Sequence, residues 1–178
     1  MSRLFVAAPV PDGVRDLLAT RLPRPEEPGV RWVPAHQWHV TLRFVGDLDT
    51  ADEAALVAAL DRLAAPAAEA RLGPRVSRLG RSVVCLPVSG LDELAGAVRD
   101  ATAGIGEAPD RPFVGHLTLA RLRDRAACGV SGTAVDLGFE VNEVVLVRST
   151  LGPGGATHEP VHHLALGPVR GRRERPFA

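Results

Sequence analysis

Two short segments of the chain repeat one arrangement of chemistry-bearing side chains: His39-Val40-Thr41-Leu42 and His116-Leu117-Thr118-Leu119. A shuffled chain of this composition would hold two copies about once in two thousand, so the pair is far less ambiguous than one short motif. In an extended strand, successive side chains point to opposite faces. Val40 and Leu42 can therefore pack inward while His39 and Thr41 share the open face; Leu117, Leu119, His116 and Thr118 repeat the scheme. If the segments converge, two imidazoles and two hydroxyls border one volume. Hydrolysis of a phosphodiester needs one proton taken from water and one delivered to the leaving oxygen. Imidazole suits both tasks near neutral pH, one ring neutral as base and the other protonated as acid. The threonine hydroxyls would donate hydrogen bonds to the non-bridging oxygens as charge builds on them. His39 and His116 are thus the candidate catalytic residues, with Thr41 and Thr118 as phosphate-binding partners.

Four further positions are weighed as contacts. Arg43, four residues after His39, shares its face in a regular strand and is a candidate phosphate ligand. Arg121, five after His116, reaches phosphate only past a bulge or a strand end. For both, a surface ion pair is the competing role. Trp32, Trp38, Phe5 and Phe44 are the aromatic side chains a single-stranded RNA base could stack on. Core packing is the better reading of Phe5 and Phe44, and Trp32 is the candidate base-stacking residue. His36 and His39 have an H-x-x-H spacing, and His162 and His163 are adjacent. A strand puts residues three apart on opposite faces and no cysteine or carboxylate pattern joins them, so no metal site is expected.

The elements that must position these residues alternate strand and helix, twice. Leu4 to Ala8 reads as a strand. A helix capped by Asp12 runs to about Leu22, with Val14, Leu17, Leu18 and Leu22 at helical spacing. Val30 to Val33 reads as a short strand and Trp38 to Val45 as a longer one. A helix capped by Asp49 or Thr50 follows to Ala64. Ala70 to Leu79 and Val83 to Val88 form an expected strand pair, followed by a helix from Ser89 or Gly90 to about Ala103. Phe113 to Leu122, Val141 to Ser149 and Thr157 to Leu166 complete the strands, the last two joined at Gly152-Pro153-Gly154-Gly155. Short connections demand antiparallel partners. The expected fold is α+β: two pseudo-symmetric lobes with mainly antiparallel sheets flank a central cleft, helices outside. Residues 1–167 form one bilobal domain and residues 168–178 a basic, solvated tail.

Composition narrows the partners. The net charge is zero, which argues against tight sequence-independent binding to long nucleic acid but suits a small anion or an RNA end. All 21 basic residues are arginine. No lysine exists to carry a covalent nucleotidyl group. Two cysteines are too few for a disulfide framework or a zinc site, and a reduced, cytoplasmic location follows. No apolar run reaches membrane-spanning length, so no membrane partner is expected.

The chain resembles the two-histidine phosphoesterases, and within them the bacterial RNA 2′,3′-cyclic phosphodiesterases, also called 2′-5′ RNA ligases. The resemblance runs from about Arg3 to Leu166. It is carried by Arg3-Leu4-Phe5-Val6-Ala7, by Arg31-Trp32-Val33, by the segment from His39 to Gly46, and by Arg111-Pro112-Phe113 ahead of the segment from His116 to Arg121. It implies two α+β lobes about a pseudo-twofold cleft and chemistry without a metal; a monomer without a cofactor is expected. The implied substrates are RNA ends or small nucleotides bearing a cyclic phosphate. It also implies that the 3′ oxygen leaves and a 2′-phosphomonoester remains. His39 is then the general acid and His116 the general base, although the near-symmetric segments permit either direction. Ligation to a 5′ hydroxyl is the microscopic reverse. Two positions depart from the family pattern: Gly115 stands where proline is common before the second histidine, and His158 stands near the place where the final hairpin commonly carries an aromatic residue. His158 is therefore the second base-stacking candidate. The competing readings are a non-catalytic RNA-end or nucleotide module on the same scaffold, and a phosphodiesterase for small cyclic nucleotides or 2′-5′ oligonucleotides.

Overall fold

Alternating burial along the first strand, β1 (Ser2–Pro9), sets the plan of the molecule. Leu4, Val6 and Ala8 join the main core, while Phe5 and Ala7 join a small separate cluster with Val145 and Val147. These are the two faces of one sheet. The molecule is described by a computed structural model covering residues 2–123, 126–152 and 155–168. Helix α1 (Asp12–Arg21) follows β1. Its N-cap is Pro11, without a side-chain cap; Asp12 instead lies in the first turn and pairs with Arg15. Proline there already holds the extended φ/ψ that an N-cap needs. Leu18 and Leu22 are buried, and Leu17 is exposed.

β2 (Val30–Trp32) and a 3-10 turn (Ala35–Gln37) lead into β3 (His39–Gly46). Asp49 caps α2 (Thr50–Asp61), accepting from the Asp52 amide at 2.8 Å. The strand expected over Ala70 to Leu79 is two strands, β4 (Ala68–Leu72) and β5 (Ser77–Leu79). Gly73-Pro74 separates them, and its peptide bond is cis. A Cβ on Gly73 would sit 2.1 Å from the Val135 carbonyl oxygen, so only glycine lets these backbones approach. β6 (Val83–Ser89) precedes α3 (Asp92–Ala101), whose N-cap is Leu91 rather than Ser89 or Gly90. β7 (His116–Leu122) begins three residues later than expected. β8 (Leu137–Val141) was not anticipated: Gly138 hides the Leu137, Phe139, Val141 alternation that marks it. β9 (Glu143–Gly152) and β10 (Gly155–Ala165) pair from Gly152 opposite Gly155, forming the expected hairpin. Pro153, Gly154 and nearly all of the basic tail lie outside the described residues.

The strands hydrogen-bond in the order β10-β9-β1-β3-β7-β6-β4-β8, with β2 added to β7 and β5 to β6. Every pairing between these strands is antiparallel. The result is one curled sheet in two equivalent halves that meet at a single residue pair, Val40 opposite Leu117. Leu18, Leu56, Leu60, Leu94 and Val98 bring all three helices into the core with Val6, Val40, Leu86 and Leu117. The helices therefore cover one face and the His/Thr segments lie on the other. This is the α+β architecture expected, its lobes being halves of a continuous sheet.

Candidate active site

The halves match residue for residue around the histidines. Pro9 lies opposite His39 on β3, and Pro87 opposite His116 on β7. Ala7 faces Thr41 as Cys85 faces Thr118. Further along, Phe5 faces Phe44 as Val83 faces Arg121. Each central strand carries a bulge at the same place. The register of β1 on β3 steps from Thr41 to Arg43, passing over Leu42; that of β6 on β7 steps from Thr118 to Ala120, passing over Leu119. A bulge inserts one unpaired residue and reverses which face the following side chains take. Leu42 and Arg43 are both buried, as are Leu119 and Ala120, and exposure returns at Phe44 and Arg121.

This reversal corrects the expectation for Arg43. A regular strand would put it beside His39; the bulge turns it into the interior, where it is 5% exposed. Its guanidinium donates to the Thr102 carbonyl and hydroxyl, to the Ile105 carbonyl at 2.7 Å and to the Glu107 carbonyl at 3.3 Å. It secures the segment after α3 and does not face the groove. Arg121 is returned to the groove face, and its charge acts on His39 and His158. Phe44, assigned to the core by its residue type, is 67% exposed on the groove face with its ring 6.0 Å from Phe5. The available signal was the repeated segment itself, which places Phe44 and Arg121 at equivalent positions.

At the junction, Val40 and Leu117 point to the core, so their neighbours point into the groove. Antiparallel order then sets His39 across from Thr118 and His116 across from Thr41. The His39 Nδ1 lies 2.7 Å from the Gln37 carbonyl and the His116 Nδ1 lies 2.8 Å from the Val114 carbonyl. A carbonyl only accepts, so each Nδ1 carries a hydrogen and donates it. That fixes both tautomers and leaves Nε2 as the atom for proton transfer. The surroundings differ, however. The His39 ring stacks on Phe5 at 4.8 Å, and His158 meets both rings edge-on at 5.1 and 5.3 Å. Burial holds His39 down at about 4; positive charge on His158, His116 and Arg121 acts the same way, against the Gln37 hydrogen bond. Burial also lowers His158, with Arg121 adding to the effect. The buried His158 Nδ1 has no hydrogen-bond partner among the described residues.

Trp32 is elsewhere. Its register opposite Ala120, a core residue, puts it on the helix side of the sheet. There its indole donates to the Pro25 carbonyl at 2.8 Å, and the ring borders a surface hollow with Arg24 and Pro34. The base-stacking expectation for Trp32 is therefore corrected by cross-strand register. His162 and His163 are each paired with a carboxylate, Asp61 and Glu143. Among the described residues no three His, Cys, Asp or Glu side chains are grouped to hold a metal ion, and no helix is long and apolar enough to cross a membrane. Cys85 and Cys128 are free thiols.

The family model for LigT-like phosphoesterases matches residues 4–74 and 86–158, spanning both histidine segments. The chain belongs to this family. It is 32% identical over 174 residues to an RNA 2′,3′-cyclic phosphodiesterase of Escherichia coli, covering 92% of this chain and 96% of that one. It is also 32% identical over 196 residues to an RNA 2′,3′-cyclic phosphodiesterase of Thermus thermophilus, covering 97% and 94%. The crystal structure of E. coli LigT complexed with 3′-AMP superposes with a TM-score of 0.74 at 30% identity, over 93% of this chain and 98% of that one. Within this LigT-like chain, the equivalent Nδ1–carbonyl anchors, bulges and proline partners of the two halves build one paired-histidine groove.

Proposed function

We propose that this LigT-like phosphoesterase hydrolyses the 2′,3′-cyclic phosphate at RNA ends and leaves a 2′-phosphomonoester. One observation carries the reading: both imidazoles are anchored alike through Nδ1 on the same groove face, each across from the other half's threonine. The names of the two bacterial relatives supply the substrate class.

The cyclic phosphate sits between the rings, its non-bridging oxygens accepting from the Thr41 and Thr118 hydroxyls. His116 Nε2 takes a proton from water, and the water oxygen bonds to phosphorus. The bond to the 3′ oxygen breaks, and His39 donates its Nε2 proton to that oxygen. Charge is conserved, and the proton inventory of the pair is reversed for the next cycle. The buried ring suits the acid role. Its imidazolium is poorly solvated, so it forms when the phosphate anion lies beside it and gives its proton readily to an alkoxide. His158 beside His39, and exposed Phe44 beyond Phe5, offer ring faces to the terminal base. With a 5′ hydroxyl in place of water as the attacking group, the same steps open the cyclic phosphate to a 2′-5′ diester and join ends without ATP.

Both proton transfers are supplied by the chain, so the reaction is expected to proceed in EDTA. Purified protein, EDTA and an oligonucleotide ending in a cyclic phosphate test this, with the product read by phosphorus NMR. A 2′-monoester is expected. Binding without turnover would identify a non-catalytic module, and a 3′-monoester would overturn the leaving-group assignment.

A further inference from the structure

We propose that the hollow bordered by Arg71, Ser89 and Pro74 is the subsite for a second RNA strand, whose 5′ hydroxyl attacks the cyclic phosphate in place of water, which rests on the hydrolase reading above. On β4 and β6, Ala70, Leu72, Leu86 and Val88 belong to the main core. Arg71, Pro87 and Ser89 alternate with them and so take the face of His116. Cross-strand register agrees: Pro87 lies opposite His116, and Arg71 lies opposite Ser89. The Val88 amide donates to the Gly115 carbonyl at 2.8 Å, which carries the β6–β7 ladder past His116 and sets Ser89 beside Val114. A Cβ on Gly115 would lie 2.3 Å from the Val88 carbonyl oxygen, so glycine permits this close approach. Val114, Ser89 and Arg71 are all exposed. A continuous strip thus runs from the imidazole over Val114 and Pro87 to a hollow of about 430 Å³ lined by Arg71, Gly73, Pro74, Ser89 and Asp136. That volume is in the range of small-ligand sites.

Its side of the groove and its chemistry select the occupant. His116 takes the proton from the attacking group, so the attacker arrives on the β7 side, where the strip begins. In register, the Cα atoms of His116 and Arg71 are two strand spacings and two residues apart, about 12 Å. The arginine side chain closes part of that span, and one nucleotide, from its 5′ oxygen to its 3′ phosphate, bridges the rest. Arg71 has one ionic partner among the described residues, Asp136 at 3.7 Å, and both side chains are exposed. Such a pair contributes little and yields to a phosphate, whose oxygens match the guanidinium fork. Val114 and Pro87 offer apolar contact to the ribose, and Ser89 offers a hydroxyl. In the step itself the 5′ oxygen bonds to phosphorus as its proton passes to His116 Nε2. The bond to the 3′ oxygen breaks, and that oxygen takes the His39 proton. One cyclic diester anion becomes one 2′-5′ diester anion, with neither ATP nor water consumed. The chemical class accepted is an oligoribonucleotide with a free 5′ hydroxyl and a phosphodiester on its first 3′ oxygen.

The full chain is given a 5′-phosphorylated oligonucleotide ending in a cyclic phosphate and increasing amounts of a 5′-hydroxyl trinucleotide that carries no cyclic phosphate. The ratio of joined to hydrolysed product is read, which cancels any difference in active enzyme. With wild-type protein the ratio is expected to level off as trinucleotide is added. Arg71→Gln should raise the trinucleotide concentration at half-saturation by about tenfold, as loss of one charge-assisted contact implies. Asp136→Asn frees the guanidinium and removes a charge that repels phosphate, and should lower that concentration. A nucleoside with a 5′ hydroxyl and no phosphate should be joined poorly, and to the same extent by wild type and Arg71→Gln. A ratio that rises without levelling overturns the subsite, because the attacker then arrives from solution without being held. A half-saturation that the two variants do not move in opposite directions overturns it as well. Hydrolysis with no joined product at any concentration also overturns it and leaves the hydrolase reading intact. No turnover of the cyclic phosphate overturns the hydrolase reading itself.

Discussion

His39 and His116 are equivalent in the sequence and unequal in the folded chain. Both are anchored through Nδ1, but only His39 is wedged between Phe5 and His158. Replacing either with alanine is expected to lower kcat by at least about a hundredfold, the usual loss for a general acid or base, and near-normal turnover in either variant would remove it from the mechanism. The burial of His39 has a signed consequence for pH. In the free protein its ring stays neutral at pH 7 and takes a proton only at about 4. The productive pair carries one proton, so a second proton inactivates it. As pH falls, kcat/KM should therefore hold and then drop with a midpoint near 4, where an unperturbed pair would drop near about 6.5. His158→Ala uncovers the ring and removes one positive neighbour, and should move that midpoint upward. A wild-type midpoint near the unperturbed value would show that the ring is solvated.

At the scale of the element, the bulges at Leu42 and Leu119 decide which arginine belongs to the groove. Arg43 and Arg121 are near-equivalent in sequence and opposite in fate. The former has become a structural cation whose donors satisfy carbonyls after α3. Arg43→Met leaves those buried acceptors unpartnered and is expected to cost about 2–4 kcal/mol of stability. Turnover per folded molecule should stay within about twofold of wild type. Chemical denaturation and active-site-normalised kinetics measure the two effects separately. A large fall in kcat at unchanged stability would restore Arg43 to phosphate binding. The same bulge brings Phe44 to the groove face, the position Arg121 holds in the other half. One half thus offers an aromatic wall and the other a cationic edge, so the two ends of a pseudo-symmetric groove differ in chemistry.

At the scale of the molecule, the halves share a single directly paired position in the sheet but one main hydrophobic core, which runs from Leu18 and Leu56 through Val40 and Leu117 to Leu94 and Phe139. A core continuous across the junction should make unfolding cooperative. Urea transitions followed by far-ultraviolet circular dichroism and by fluorescence of Trp32, on β2 against β7, and Trp38, beside β3, should coincide. Separate midpoints would mean that the halves unfold independently.

Much of this molecule was legible in the chain. The matched His-x-Thr-Leu segments, the period-two alternation around them and the helical spacing between them specify the catalytic candidates, the α+β class and the two equivalent halves. These are local properties, carried by neighbouring residues of one segment. Whether a strand skips a residue depends on the partner strand beside it, so the regular-strand expectation misassigned Arg43 and the residue type misassigned Phe44. Trp32 likewise took its side of the sheet from its register on β7. The neutral state of His39 arises from Phe5 and His158, which lie at opposite ends of the sequence. Desolvation and cross-strand register are set by distant segments brought together, and for that reason only the tertiary structure decided them.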